Sequence, residues 1–129
     1  MSRQPEVMQV SVPRETAFLT VIRRMITEAA EAAGFTPIEA GEVEVAVDAV
    51  ATSAVSGELR SPSITVAAVV SERGLEVILT PFFIGAFDRE VVLACVDEVE
   101  VANSPDGTPA SLRLRRFRRT ALSDPSGSS

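Results

Sequence analysis

Without a histidine, lysine, tyrosine or tryptophan anywhere in the chain, the side chains that could move protons or bind metals reduce to carboxylates, hydroxyls and one thiol. The absence of histidine removes imidazole acid–base catalysis, phosphohistidine chemistry and the commonest metal ligand. One cysteine with no histidine also argues against a zinc site, so no metal is expected. Cys95 has no partner for an internal disulfide. It sits in the apolar run Val91-Val92-Leu93-Ala94-Cys95-Val96, where a cysteine behaves as a small buried hydrophobe and not as a reactive thiol.

All twelve basic residues are arginine, a usage that fits coding bias toward GC-rich DNA better than it fits a function. Five of them, Arg113, Arg115, Arg116, Arg118 and Arg119, lie near the C-terminus with only Asp124 after them. The rest of the chain is therefore more acidic than the net charge of −6 suggests. An acidic body repels phosphate and speaks against general nucleic-acid binding. The Arg113–Arg119 strip alone could address acidic surfaces or RNA.

The elements that must position these residues are legible in the hydropathy pattern. Val43, Val47, Val50 and Ala54 recur at helical spacing, with Ala46 and Ala51 widening the stripe, which predicts a helix over Pro37–Val55. Thr36 as N-cap, Pro37 as first helical residue and Glu39 as reciprocal partner make a capping box at its start. A preceding helix is expected over Arg14–Ala33, entered through Pro13 and stopped by Gly34. Its apolar stripe would be Phe18, Ile22, Met25 and Ala29, with Val21 and Ile26 beside it. A short third helix is expected at about Asp88–Val96.

Glu6–Val12 suits an edge strand. Ile64–Val70 and Leu75–Leu79 read as a hairpin around Ser71-Glu72-Arg73-Gly74. After the Pro105-Asp106-Gly107-Thr108 turn, Ala110, Leu112 and Leu114 alternate with Ser111, Arg113 and Arg115, so one face is buried and the arginines face solvent. With 46% hydrophobic residues a packed globule is expected, as a single domain over residues 1–119 with a disordered tail over 120–129. No apolar run reaches the ~20 residues of a membrane span, and the first ten residues lack a signal-peptide core, so a cytoplasmic protein is expected.

The stretch Ala46-Val47-Asp48-Ala49-Val50-Ala51-Thr52-Ser53-Ala54-Val55 resembles the N-box helix of the anti-sigma regulatory factors, small serine-protein kinases with the GHKL (histidine-kinase-like) ATPase fold. That helix carries a Glu and, four residues on, an Asn, between Ala-Val pairs; the frame places Ala49 at the Glu and Ser53 at the Asn. Thr80-Pro81-Phe82-Phe83-Ile84-Gly85-Ala86-Phe87 stands where the family has Asp-X-Gly-X-Gly. Thr80 or Pro81 takes the place of the adenine-binding Asp, and Gly85 alone remains of the glycines. Asp97-Glu98-Val99-Glu100-Val101 and Gly107-Thr108 resemble the family's entry into its last two strands. The resemblance runs from about Val7 to Phe117. It implies an α+β two-layer sandwich, with three helices on one face of a mixed, mostly antiparallel sheet.

The resemblance also sets out the chemistry that would be missing. In the family the Glu activates water or the substrate hydroxyl, and the Asn binds the magnesium that bridges the phosphates. Ala49 offers no base, and Ser53 lacks the carbonyl oxygen that serves a hard cation. A one-residue slip would bring Asp48 and Thr52 to the same spacing but would turn the apolar stripe by ~100°, so Asp48 reads as a solvated residue. Asp88 and Glu90 would repel a triphosphate. ATP binding and kinase activity are therefore expected to be lost, leaving a pseudokinase without a cofactor.

What the resemblance leaves is protein binding. Its members dimerise, hold a sigma factor through the first helix and nearby loops, and meet an anti-anti-sigma (STAS) antagonist. Arg23 matches the contacting arginine of that helix. Phe82 and Phe83, with Phe87, either close the emptied pocket or form an apolar partner patch. Two alternatives remain: a weakly active serine-protein kinase, and an adaptor that uses the Arg113–Arg119 strip.

Overall fold

A computed structural model describes residues 5–56, 62–80, 87–103 and 109–118. In chain order the elements are β1 (Glu6–Pro13), a 3₁₀ turn (Thr16–Phe18), α1 (Leu19–Ala32), α2 (Pro37–Ser56), β2 (Ser63–Ser71), β3 (Gly74–Thr80), α3 (Arg89–Cys95), β4 (Glu98–Asn103) and β5 (Pro109–Phe117). The expected tail at 120–129 lies outside the described residues.

α2 begins with the capping box written in its sequence. The Thr36 backbone N–H donates to Glu39 Oε1 at 2.9 Å, and the Glu39 N–H donates to Thr36 Oγ1 at 3.2 Å. The stripe of Val43, Ala46, Val47, Val50, Ala51 and Ala54 is buried throughout. Its β-branched residues are poor helix formers, so burial holds the helix rather than propensity.

α1 departs from expectation at its start and in its face. Pro13 closes β1 opposite Ser63 and does not open a helix; a proline at the end of an edge strand removes no needed ladder donor. The chain then turns back through an extended Glu15 and the 3₁₀ turn, so the helix begins at Leu19 instead of Arg14. The buried face is Leu19, Ile22, Ile26, Ala29 and Ala30. Met25 and Phe18 only flank it, and Val21 points outward at 42% exposure. Docking against both the sheet and α2 sets that rotation, and the local pattern was compatible with either. The C-terminus is a Schellman motif: Gly34 at φ 81° lets its N–H reach Glu31 O and lets Phe35 N–H reach Ala30 O.

The strands form one sheet in the order β1-β2-β3-β5-β4. Every described pairing is antiparallel, which corrects the mixed sheet expected. Two helices lie between β1 and β2, one running back and one forward, so β2 starts where β1 ended, with Pro13 opposite Ser63. β4 does run in the direction of β3, but β5 inserts between them. The β2–β3 turn depends on Gly74 at φ 144°, where an added Cβ would lie 2.2 Å from Arg116 O.

Alternation divides the sheet into two faces. Ile64, Val66, Ala68, Val70, Val77, Leu79, Leu112 and Leu114 are buried with the helices' apolar faces in one core. The outer face carries a charged ladder: Arg115 binds Glu76 (3.0 Å), Glu98 (3.1 Å) and Glu100 (3.2 Å), and Arg113 reaches Glu76 at 3.4 Å. The fold class read from the sequence, α+β with helices layered on a sheet, is the one observed.

Candidate functional site

A helical face repeats at intervals of three and four residues, so Glu42, Ala46, Ala49 and Ser53 line one side of α2. Ala46 is fully buried, while Ala49 and Ser53 are half-buried, and Ala49 packs against the core. This face presents the Ala49 methyl group and the Ser53 hydroxyl, at the two positions that the sequence resemblance aligns with a base and a carbonyl ligand. Residues 81–86 and 104–108 lie outside the described residues, and Phe82, Phe83 and Gly85 with them. Phe87 is half-buried against the core. Thr80 ends β3, exposed and opposite Thr65.

Asp48 is half-exposed, as expected of a solvated residue, but it is not without a partner. It stands 100° around α2 from Ala49, toward α1, where its Oδ1 accepts the Nε–H of Arg23 at 2.7 Å. This bond, and then the charge of Asp48, raise the Arg23 guanidinium above its ordinary pKa. One turn earlier on α2 and one turn later on α1, Thr27 Oγ1 donates to Glu44 Oε2 at 2.9 Å. A polar seam therefore runs along the outer junction of the two helices. Arg23, half-exposed, is part of this seam and does not stand alone on a rim.

Asp88 also has a role the sequence reading missed. It precedes α3 as its N-cap, and its Oδ1 accepts the backbone N–H groups of Glu90 (3.1 Å) and Val91 (3.3 Å). Those amides, which could otherwise face an anion, are taken.

The Arg113–Arg119 strip is not one surface. Arg113 and Arg115 belong to the outer ladder, whereas Arg116 lies on the inner face at 7% exposure. Its Nη1 donates to Cys95 O at 2.6 Å and its Nη2 pairs with Glu42 Oε1 at 2.8 Å. Arg116 thus ties β5 to α2 and to the end of α3, while its Nε is buried without a hydrogen-bond partner. The signal was available: Leu112, Leu114 and Arg116 share one parity. Cys95 itself is half-buried, not fully buried.

Elsewhere, a shallow groove of about 520 Å³ lies between β1 and α1, lined by Met8, Val10, Val21 and Met25 with Arg24 and Glu28 at its margin. Among the described residues, no cluster of three or more carboxylate or thiol groups is placed to hold a metal, and no helix is long and apolar enough to cross a membrane.

The fold has a counterpart among solved structures. The crystal structure of the RsbU and RsbW domains of Rv1364c from Mycobacterium tuberculosis matches 87% of this chain with a TM-score of 0.70 at 16% sequence identity. This chain spans 32%, about a third, of that chain's length. At such identity the likeness establishes the fold, an α+β sandwich with helices layered on an antiparallel sheet, and nothing finer. No protein-family model matches the sequence, and no curated protein sequence matches it significantly.

Proposed function

We propose that this protein is an anti-sigma-factor-like regulator that acts by protein contact, holding a sigma factor or a STAS-type antagonist in the cytoplasm, with nucleotide binding and kinase chemistry lost. The observation that carries the reading is the face of α2. In a GHKL-type fold it offers Ala49 and Ser53 where the resembling family needs a base and a magnesium ligand. The Asp88 carboxylate adds to this, because it occupies the first free amides of α3 and would repel phosphate.

With chemistry absent, the retained property is recognition. Arg23 is half-exposed on α1 and bound through Nε alone among the described residues, so its remaining N–H groups can fork onto a partner carboxylate. The apolar groove between β1 and α1, beside the free edge of β1, suits a homodimer contact.

The test is capture from the source cytoplasm with the tagged chain, followed by identification of bound proteins, alongside ATP titration by calorimetry. Recovery of a sigma factor or a STAS protein without ATP heat supports the proposal. ATP binding with phosphorylation of a captured STAS protein would instead return the weak-kinase reading.

A further inference from the structure

The outermost line of α2 is neither polar nor filled. Opposite the buried stripe run Ile38, Gly41 and Val45, spaced three and four residues apart on one helical face. Ile38 is 77% exposed and Val45 52% exposed. Between them, a Cβ built on Gly41 would meet nothing within 4 Å. Glycine is the least favourable residue after proline in a helix interior. Neither turn geometry nor internal packing calls for it here. The residue leaves a notch between two exposed aliphatic side chains, and a notch of this kind lets another backbone approach closely.

The charge around the ridge is one-sided. α2 carries Glu39, Glu42, Glu44 and Asp48 and no basic residue. Glu42 lies on the α3 side of the ridge, 41% exposed. Glu44 and Asp48 lie on the α1 side. Of the two arginines that answer these acids, Arg116 is buried, leaving Arg23 as the exposed one.

We infer that the Ile38–Gly41–Val45 ridge is a docking surface for a basic amphipathic helix of a partner protein. The partner's apolar stripe seats at the Gly41 notch, and its Lys or Arg residues run along Glu42 and Glu44. Charge selects this occupant among the alternatives. A second copy would bring like acids against these, and an anionic lipid surface would be repelled in the same way. An extended strand would need a free sheet edge, which a helix ridge does not offer. The surface is distinct from the Arg23 contact, which seeks a carboxylate, so each can be tested without the other.

The experiment uses the full chain and a fluorescein-labelled synthetic helix of Leu and Lys at amphipathic spacing, with a Leu/Glu peptide of the same spacing as control. Anisotropy gives affinity, and amide shifts of isotope-labelled protein give the location. The Leu/Lys peptide should bind, with shifts centred on residues 38–49, and the Leu/Glu peptide should not. Gly41→Gln fills the notch without adding charge and should weaken binding about tenfold or more. A circular-dichroism melt should show Gly41→Gln at least as stable as the parent, and Ile38→Ser with Val45→Ser gives a second route to the same loss. Undiminished binding by Gly41→Gln, or shifts confined to the outer sheet face, overturns the inference. So does a dimer in sedimentation that Gly41→Gln dissolves, or retention on phosphatidylserine vesicles that the same variants abolish.

Discussion

Arg23 Nε and Asp48 Oδ1 lie 2.7 Å apart, so the arginine expected to meet a partner is already answered by a carboxylate of its own chain. The pair is exposed and joins two helices that the core already holds together, so it adds little to the fold. A partner carboxylate must share or displace Asp48. Arg23→Ala should therefore leave the melting temperature nearly unchanged and lose the captured partner. Asp48→Asn should keep the fold and strengthen capture, because it removes the carboxylate charge that competes for the guanidinium. Both are read by thermal melts and quantitative pull-down. Full retention of the partner by Arg23→Ala would move the contact off α1.

ATP with magnesium should not raise the melting temperature. Ligand that binds only the native state stabilises it by RT ln(1 + [L]/Kd), so a working site would shift the transition plainly at millimolar nucleotide. Restoring the family's residues with Ala49→Glu and Ser53→Asn tests the same face from the other direction. Because Asp88 still holds the first amides of α3, the double variant should remain inert in the same melt.

Arg116 should be the most costly arginine to remove. Its truncation strands Glu42 and the Cys95 carbonyl and leaves a hole between β5 and the helices. Arg116→Ala should lower the unfolding free energy in urea by about 2–4 kcal/mol, toward the low end of buried ion pairs because Glu42 is half-exposed. Arg116→Met with Glu42→Gln should recover much of the loss, since it replaces the stem and leaves no charge behind.

Gly41→Ala should stabilise the protein by about 1 kcal/mol, the helix-interior difference between the two residues. For a domain of this size that corresponds to a rise of about 4 °C in melting temperature. The same change at Gly74 should do the reverse, because φ is 144° there and the new Cβ would press on the Arg116 carbonyl.

The features legible in the sequence were those fixed by neighbours along the chain. Thr36 and Glu39 form their capping box within one turn, Gly34 stops α1 through its own backbone freedom, and alternation in β5 already sorts Leu112 and Leu114 from Arg113 and Arg115. The stripe of α2 was equally plain, because Val43, Val47, Val50 and Ala54 admit only one buried face. α1 was ambiguous, since Val21, Ile22, Met25 and Ile26 offer apolar side chains over a wide arc. Only packing against the sheet and α2 selected Leu19, Ile22 and Ile26 and turned Val21 out. Every pairing that defines the candidate surfaces spans long sequence separations: Arg23 to Asp48, Thr27 to Glu44, Arg116 to Glu42 and Cys95. Periodicity assigns a charged residue to a face of its own element, but which opposite charge stands within 3 Å depends on how two elements dock, and that was decided by the tertiary structure alone.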